Sequence, residues 1–434
     1  KTDSTGSTWQ FVYNDDQVIV EKRIRTASGS WRTTQYEYDS NGNKTKMIDP
    51  AGEEWLKDYD AQGRLLSTTN PLGETTTYTY EGDKPWPITI TSPSGRETHY
   101  TYNAQGNPVT ITDPMQQNTA LSWNSQGDLL QVSDPLGRTL TMTYNDDGQI
   151  TSITDGAGRT TAYQYDALGR RIQATLPNGD TQRWEYDANN RLITQINGLG
   201  DDTEFQYDPA GRLTRLIDGE GHPLTFDYDD HGRLIAEHRP DGQSLTFAHR
   251  ADGRLTIKTT PNNETISFQY DAEKRLTKQT LPSLSYSFTY TQRGQLASVS
   301  GTNGTSNSYS YNAAGRRTGE THQGRGIGIS YNTEGEATTL TVAGETQTLT
   351  RNDRGQITAL NTPAGNYGFQ YDDAGQLTGM NYPGGSARYQ YNQAGQIAQQ
   401  QLGDALGAAF TYQYDQNGRL GQRSGEGPDC SVVY

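Results

Sequence analysis

The chain has 434 residues, of which only 31% are AVILMFWYC and 48 are glycine, with a mean hydropathy of -0.89. That is too little apolar material to fill a globular core of ordinary thickness. A net charge of -15 and a pI near 4.9 oppose nucleic-acid binding, no 18-residue apolar run suits a membrane helix, and a single cysteine, Cys430, excludes an intrachain disulfide framework.

Residues 1–12 fall outside any period. Lys1 is not an initiator methionine and no signal peptide precedes the repeats, so the chain reads as a piece of something longer. From 13 to 420 a self-similar unit returns about twenty times, 20–23 residues long. Its anchor is an aromatic residue, usually followed by Asp or Asn and then by Gly at the fourth position. The anchors are Tyr38, Tyr59, Tyr80, Tyr102, Trp123, Tyr144, Tyr165, Tyr186, Tyr207, Tyr228, Tyr270, Tyr290, Tyr311, Tyr331, Tyr371, Tyr391 and Tyr414, with His249 as a substitute and Arg351 as a degenerate copy. Spacing is mostly 21 up to Tyr270 and mostly 20 beyond it. Residues 421–434 form a non-repeat tail.

Each unit predicts two short strands and two turns. Segments such as "TTTYTY" ending at Tyr80 and "DTEFQY" ending at Tyr207 alternate β-branched and aromatic residues at period two. Aromatics at i and i+2 share a strand face, so Tyr36 with Tyr38, Tyr163 with Tyr165, Phe226 with Tyr228 and Tyr389 with Tyr391 are expected to stack into a ladder from repeat to repeat. In "DALG" and "DPAG" the Asp side chain caps the backbone two residues on. The glycine then takes the positive φ that closes a hairpin with a bulge. The glycines in this role are Gly42, Gly63, Gly106, Gly169, Gly211, Gly232, Gly375 and Gly418. The strand resumes with an aliphatic residue, as at Leu65, Ile150, Leu192 and Leu213. A second turn follows, as in "DPAG" at Asp49, "NPLG" at Asn70 and "DPLG" at Asp134, with Pro supplying its fixed φ.

No segment has a helical apolar stripe, and Gly or Pro punctuates the chain about every ten residues, as in an all-β meander. About forty strands, each about 4.8 Å from the next, make a sheet roughly 190 Å wide. Twist and exposed edges prevent such a sheet from staying flat, so it must coil upon itself as a single-layer wall.

The units "YDAQGRL" at Tyr59, "YDPAGRL" at Tyr207, "YDDHGRL" at Tyr228 and "YDQNGRL" at Tyr414 resemble the YD or RHS repeats of bacterial Rhs proteins, shell components of insecticidal toxin complexes, wall-associated toxins and teneurins. The resemblance implies tandem β-hairpins in a long spiralling antiparallel sheet that forms a hollow shell, or part of one, around a toxic C-terminal segment. Many Rhs proteins also carry a self-cleaving core with a "DPxGL"-like signal. Here "DPLGR" (Asp134–Arg138) sits mid-array in an ordinary second-turn slot with Arg138 in place of the final Leu, and nothing after Tyr414 matches the core.

The residues offer no enzyme chemistry. His99, His222, His231, His238, His249 and His322 stand in different repeats without metal-ligand spacing. The acidic turns "NDDG" (Asn145–Gly148) and "DDHG" (Asp229–Gly232) lack the closing Glu of a calcium loop. "GRGIG" (Gly324–Gly328) lacks the full phosphate-loop string and reads as a turn. A thiol triad would rest on Cys430 alone. The sequence therefore predicts no catalytic, cofactor or metal site, and the site residues it offers are the tyrosine anchors and turn glycines.

By resemblance the expected role is the structural shell of a polymorphic toxin, delivered outside the producing bacterium. Its partners would be its own toxin domain as cargo and type VI spike proteins or chaperones. The alternative from another class is an extracellular adhesion module, in which exposed tyrosines stack on cell-surface glycans.

Overall fold

A computed structural model describes residues 8–26, 29–403, 407–425 and 432–433; Cys430 lies outside them. Forty-one strands, β1 (Trp9–Tyr13) to β41 (Val432–Val433), form one antiparallel sheet in which each strand pairs with the next, and the described residues contain no helix.

The hairpin of β15 (Thr160–Tyr165) and β16 (Arg171–Thr175) shows why the sequence folds this way. The Asp166 carboxylate accepts the amides of Leu168 and Arg170, both at 3.0 Å, while Asp166 N donates to Arg170 O. Gly169 closes the turn at φ 78°, in the left-handed region where glycine has no Cβ penalty. Tyr165 then faces Arg171 across a β-bulge, so the register shifts at the anchor itself. The second turn repeats this chemistry: Asp134 caps Leu136 and Arg138.

The change of period has a structural cause. At His322–Arg325 and Val342–Glu345 the second turn shrinks to two central residues, both with positive φ (Gln323 47° and Gly324 82°; Ala343 51° and Gly344 91°). These are type I′ hairpin turns, which match strand twist with fewer residues.

The expected direct stacking of rings from repeat to repeat requires correction. Tyr100 and Tyr102 do stack within a strand, with centroids 6.3 Å apart. Between successive anchors, however, the ring is covered by an arginine from the preceding turn: Arg64 over Tyr80, Arg170 over Tyr186, Arg191 over Tyr207, Arg212 over Tyr228 and Arg275 over Tyr290, at 4.6–5.0 Å from the ring centroid. Anchors one repeat apart stand two strands apart, roughly 10 Å, too far for rings to touch. A long guanidinium bridges that gap and gains cation–π attraction.

The wall is thin. Accessible surface is 24544 Å², against about 16,000 Å² for a compact globule of this mass. The buried apolar residues among those described are Met142, Ala174, Ala236, Leu245, Ala387 and Phe410. By register all but Ala236 lie on the face that carries the anchors. Pairing also crosses both array edges read from the sequence: β1 begins at Trp9, ahead of residue 13, and β40 (Leu420–Gly425) runs past 420.

Candidate functional site

Two constructions make this wall: a ladder along the sheet, and a seam where the sheet meets itself. In the ladder, Tyr165 Oη donates to Ile150 O (2.7 Å), Tyr207 to Leu192 O (2.8 Å), Tyr228 to Leu213 O (2.8 Å) and Tyr391 to Leu377 O (2.7 Å). Tyr38, Tyr102, Tyr144, Tyr186, Tyr311, Tyr371 and Tyr414 make the same kind of bond. Each phenol thus ties its strand to the start of the second strand of the preceding hairpin. Burial pushes the Tyr207 phenol above its ordinary pKa. Tyr270 lies under Arg254, and Tyr59 pairs with Leu65 across its bulge.

The arginine after the turn glycine makes three contacts. Arg191 pairs with Asp187 Oδ2 (2.7 Å), donates through Nη1 to Asp208 O (3.0 Å), and covers the Tyr207 ring. Arg170 and Arg212 repeat the pattern. Arg233 pulls the Asp229 carboxyl down to about 2 through a side-chain hydrogen bond. The eight predicted turn glycines all have φ between 77° and 87°. At Gly106 an added Cβ would also meet the Trp86 ring at 2.5 Å.

The seam joins residues about 240 apart. Second turns of the first coil meet first turns of the next: Asp49 with Arg293 (2.5 Å), Glu74 with Arg316 (2.5 Å), Arg96 with Glu336 (3.0 Å), Asp113 with Arg354, Arg138 with Gln376, Arg159 with Gln396 (3.0 Å) and Asn178 with Asn417 (3.0 Å). Arg32 also reaches Glu273 and Gln292 O. Every one of the seven turn pairs is separated by 23 strands, so the sheet winds in constant register. Opposite a second-turn Arg138 or Arg159, the first turn carries Gln376 or Gln396 rather than arginine. The glutamine accepts the guanidinium and donates its amide to Gly395 O or Gly418 O of the following repeat, both a normal hydrogen bond away. At these two stations a neutral glutamine thus meets the arginine where a second arginine would repel it.

The histidines remain dispersed. His238 bonds Asp227 and Ser244, His99 bonds Thr89, and His249 occupies an anchor slot. Among the described residues no group of three or more His, Cys, Asp or Glu could hold a metal, and no helix is long and apolar enough to cross a membrane. "GRGIG" forms a hairpin turn running into a strand, and "DPLGR" is a seam turn.

A teneurin YD-shell family model matches residues 1–127 and 318–423, together more than half of the chain. The chain belongs to the teneurin YD-shell family. An RHS repeat model matches 144–181, 186–223, 228–265 and 251–283, which lie in the stretch between the two YD-shell segments. No match was found among curated proteins. The YD-shell fold recurs in solved structures. The crystal structure of TcdB2-TccC3-TEV matches 99% of this chain with a TM-score of 0.75 at 13% identity, and TcdB2-TccC3-Cdc42 matches 99% with 0.73 at 13%. The Photorhabdus luminescens Tc holotoxin pore matches 97% with 0.65 at 15%. The chain spans 30%, 30% and 24% of those chains, respectively.

Proposed function

We propose that this YD-shell chain is a wall segment of a bacterial Rhs-type polymorphic toxin, a structural and non-enzymatic container for a toxic C-terminal segment that is delivered outside the producing cell. The observation that carries the reading is the seam: seven turn pairs at a constant 23-strand offset hold a thin, open sheet in a coiled course of wall. At about 4.8 Å per strand, 23 strands give a circumference of about 110 Å and a backbone-to-backbone width of about 35 Å. Side chains on the inner face narrow this to roughly 25 Å. A helix about 10–12 Å across fits such a bore, whereas a folded 100-residue domain with a radius of gyration of about 13 Å does not fit comfortably. The cargo of this segment is therefore an unfolded or loosely folded chain.

The array assigned to 13–420, with its tyrosine anchors and turn glycines, is the wall-building part on this reading. The test uses the longer protein with its downstream segment. That segment should survive a protease that degrades it when expressed alone, and should become sensitive when Arg293, Arg316 and Arg354 are all changed to Glu. Equal digestion of the enclosed and free segments would refute the container.

A further inference from the structure

A cavity of about 530 Å³ opens where the wall meets the seam, against β4 (Lys44–Ile48), β5 (Glu54–Tyr59), β6 (Leu65–Thr69) and β7 (Thr75–Tyr80). Met47 and Trp55 are cross-strand partners and supply its apolar floor, with Thr68 and Thr76 opposite each other beside them. Lys44 and Lys57 also line it. By register all six belong to the anchor face, because Tyr36 pairs with Met47, Tyr38 with Lys44 and Lys57 with Thr68.

The charge balance here runs against that of the chain. The strand carboxylates nearby, Glu37, Glu54 and Asp58, pair in register with residues of the opposite face, where Lys46 binds Glu54 at 2.6 Å. The two carboxylates on the seam side are occupied: Glu74 by Arg316, and Glu334 by the Ser94 amide at 2.8 Å. Among the described residues Lys44 sits over the Tyr36 ring at 4.1 Å and near the Tyr38 ring, with no carboxylate partner, and Lys57 has neither an ion-pair nor a hydrogen-bond partner. In a protein of net charge -15, two uncompensated ammonium groups thus flank a tryptophan–methionine floor with hydroxyl groups at its side.

We propose that this cavity binds a carboxylate carried on an apolar body, in the form of an acidic residue next to an aromatic one in an extended peptide. The ammonium groups take the carboxylate, the Trp55–Met47 floor takes the ring, and the threonine hydroxyls meet the peptide backbone. A concave, largely apolar pocket with a few convergent polar groups is the usual form of a ligand site, and an aromatic beside a cation suits this ligand on both counts. The site stands whether or not the wall encloses a toxin.

Isothermal titration calorimetry with the unlabelled peptide acetyl-Ser-Glu-Phe-Glu-Phe-Ser-amide tests it. The native chain should bind saturably, at least tenfold more tightly than it binds the same peptide with Gln for Glu, and more weakly as salt is raised. Lys44→Gln/Lys57→Gln should lose at least tenfold, and Lys57→Gln alone, at an exposed position, should lose a measurable part. Arg171→Gln, which removes a ring-seated cation elsewhere on the same face, should leave binding unchanged. No saturable binding, equal affinity for the two peptides, or an unaffected double variant with native circular dichroism would overturn the assignment. So would competition by glucuronate at the peptide's own affinity, which would make the ligand a sugar acid.

Discussion

Replacing Arg316 by Ala removes a seam contact whose strength follows from its surroundings. The guanidinium donates to both oxygens of Glu74, at 2.8 and 2.5 Å, and the two side chains are 22% and 8% exposed. Breaking a buried pair by deleting one partner costs about 3–5 kcal/mol, because the remaining charge is left desolvated. Partial exposure and the Asn70 amide, which still donates to Glu74, reduce this to about 2–3 kcal/mol. Removing both charges with Arg316→Ala/Glu74→Gln should recover most of the loss, since the stranded carboxylate is what is costly. Urea unfolding of the four proteins of this cycle should give a coupling of about 1–2 kcal/mol. Arg239→Ala serves as comparison: Arg239 is 45% exposed and pairs with Glu237 within its own coil, so its loss should stay below about 1 kcal/mol. Arg316→Ala no more damaging than Arg239→Ala, or additive single variants, would refute the seam.

Tyr207→Phe keeps the ring under Arg191 but strands Leu192 O, and should cost about 1–2 kcal/mol in chemical denaturation; Tyr207→Ala should cost about 3 kcal/mol or more. A Phe variant as stable as the native chain would show that the phenol bonds do not hold the rungs. In acid, Asp229 has a folded pKa of about 2 against an ordinary 3.8, and the Arg316 hydrogen bond holds Glu74 below its ordinary value. Carboxylates depressed in the folded state contribute stability that is complete above their unfolded pKa values and lost as pH falls through the folded ones. The melting temperature should therefore fall steeply between about pH 4 and pH 2. A main loss centred near pH 6.5 would instead implicate the histidines.

The hairpins were legible in the sequence because their chemistry is local. Asp166 caps residues two and four positions on and Gly169 takes a positive φ, so one five-residue window contains the whole cause. The role of the arginine was not legible: Arg191 follows a turn like any charged residue at a strand start, and its ring partner lies in the next repeat. The seam was hidden further, since Glu74 and Arg316 are separated by many repeats and the register between them depends on accumulated twist. One trace does exist. Arginine after the turn glycine gives way to Gln356, Gln376 and Gln396 in the later repeats, where the seam brings in an arginine from the other coil at two of these three. Strand pairing needs only an extended partner, so β1 and the end of β40 join the sheet beyond the last recognisable motif.

The central claim is that the sheet is a coiled wall with a 23-strand period. Pulsed electron paramagnetic resonance on the Cys430→Ser chain, with nitroxides placed at Leu72 and Ala314 or at Leu136 and Asp373, measures that period across two stations of the seam. Both pairs sit on turns that the structure brings together, so both should give narrow distributions below about 25 Å. A sheet that does not return on itself would put each pair 23 strands, about 110 Å, apart, and the absence of a short distance at both stations would contradict the account.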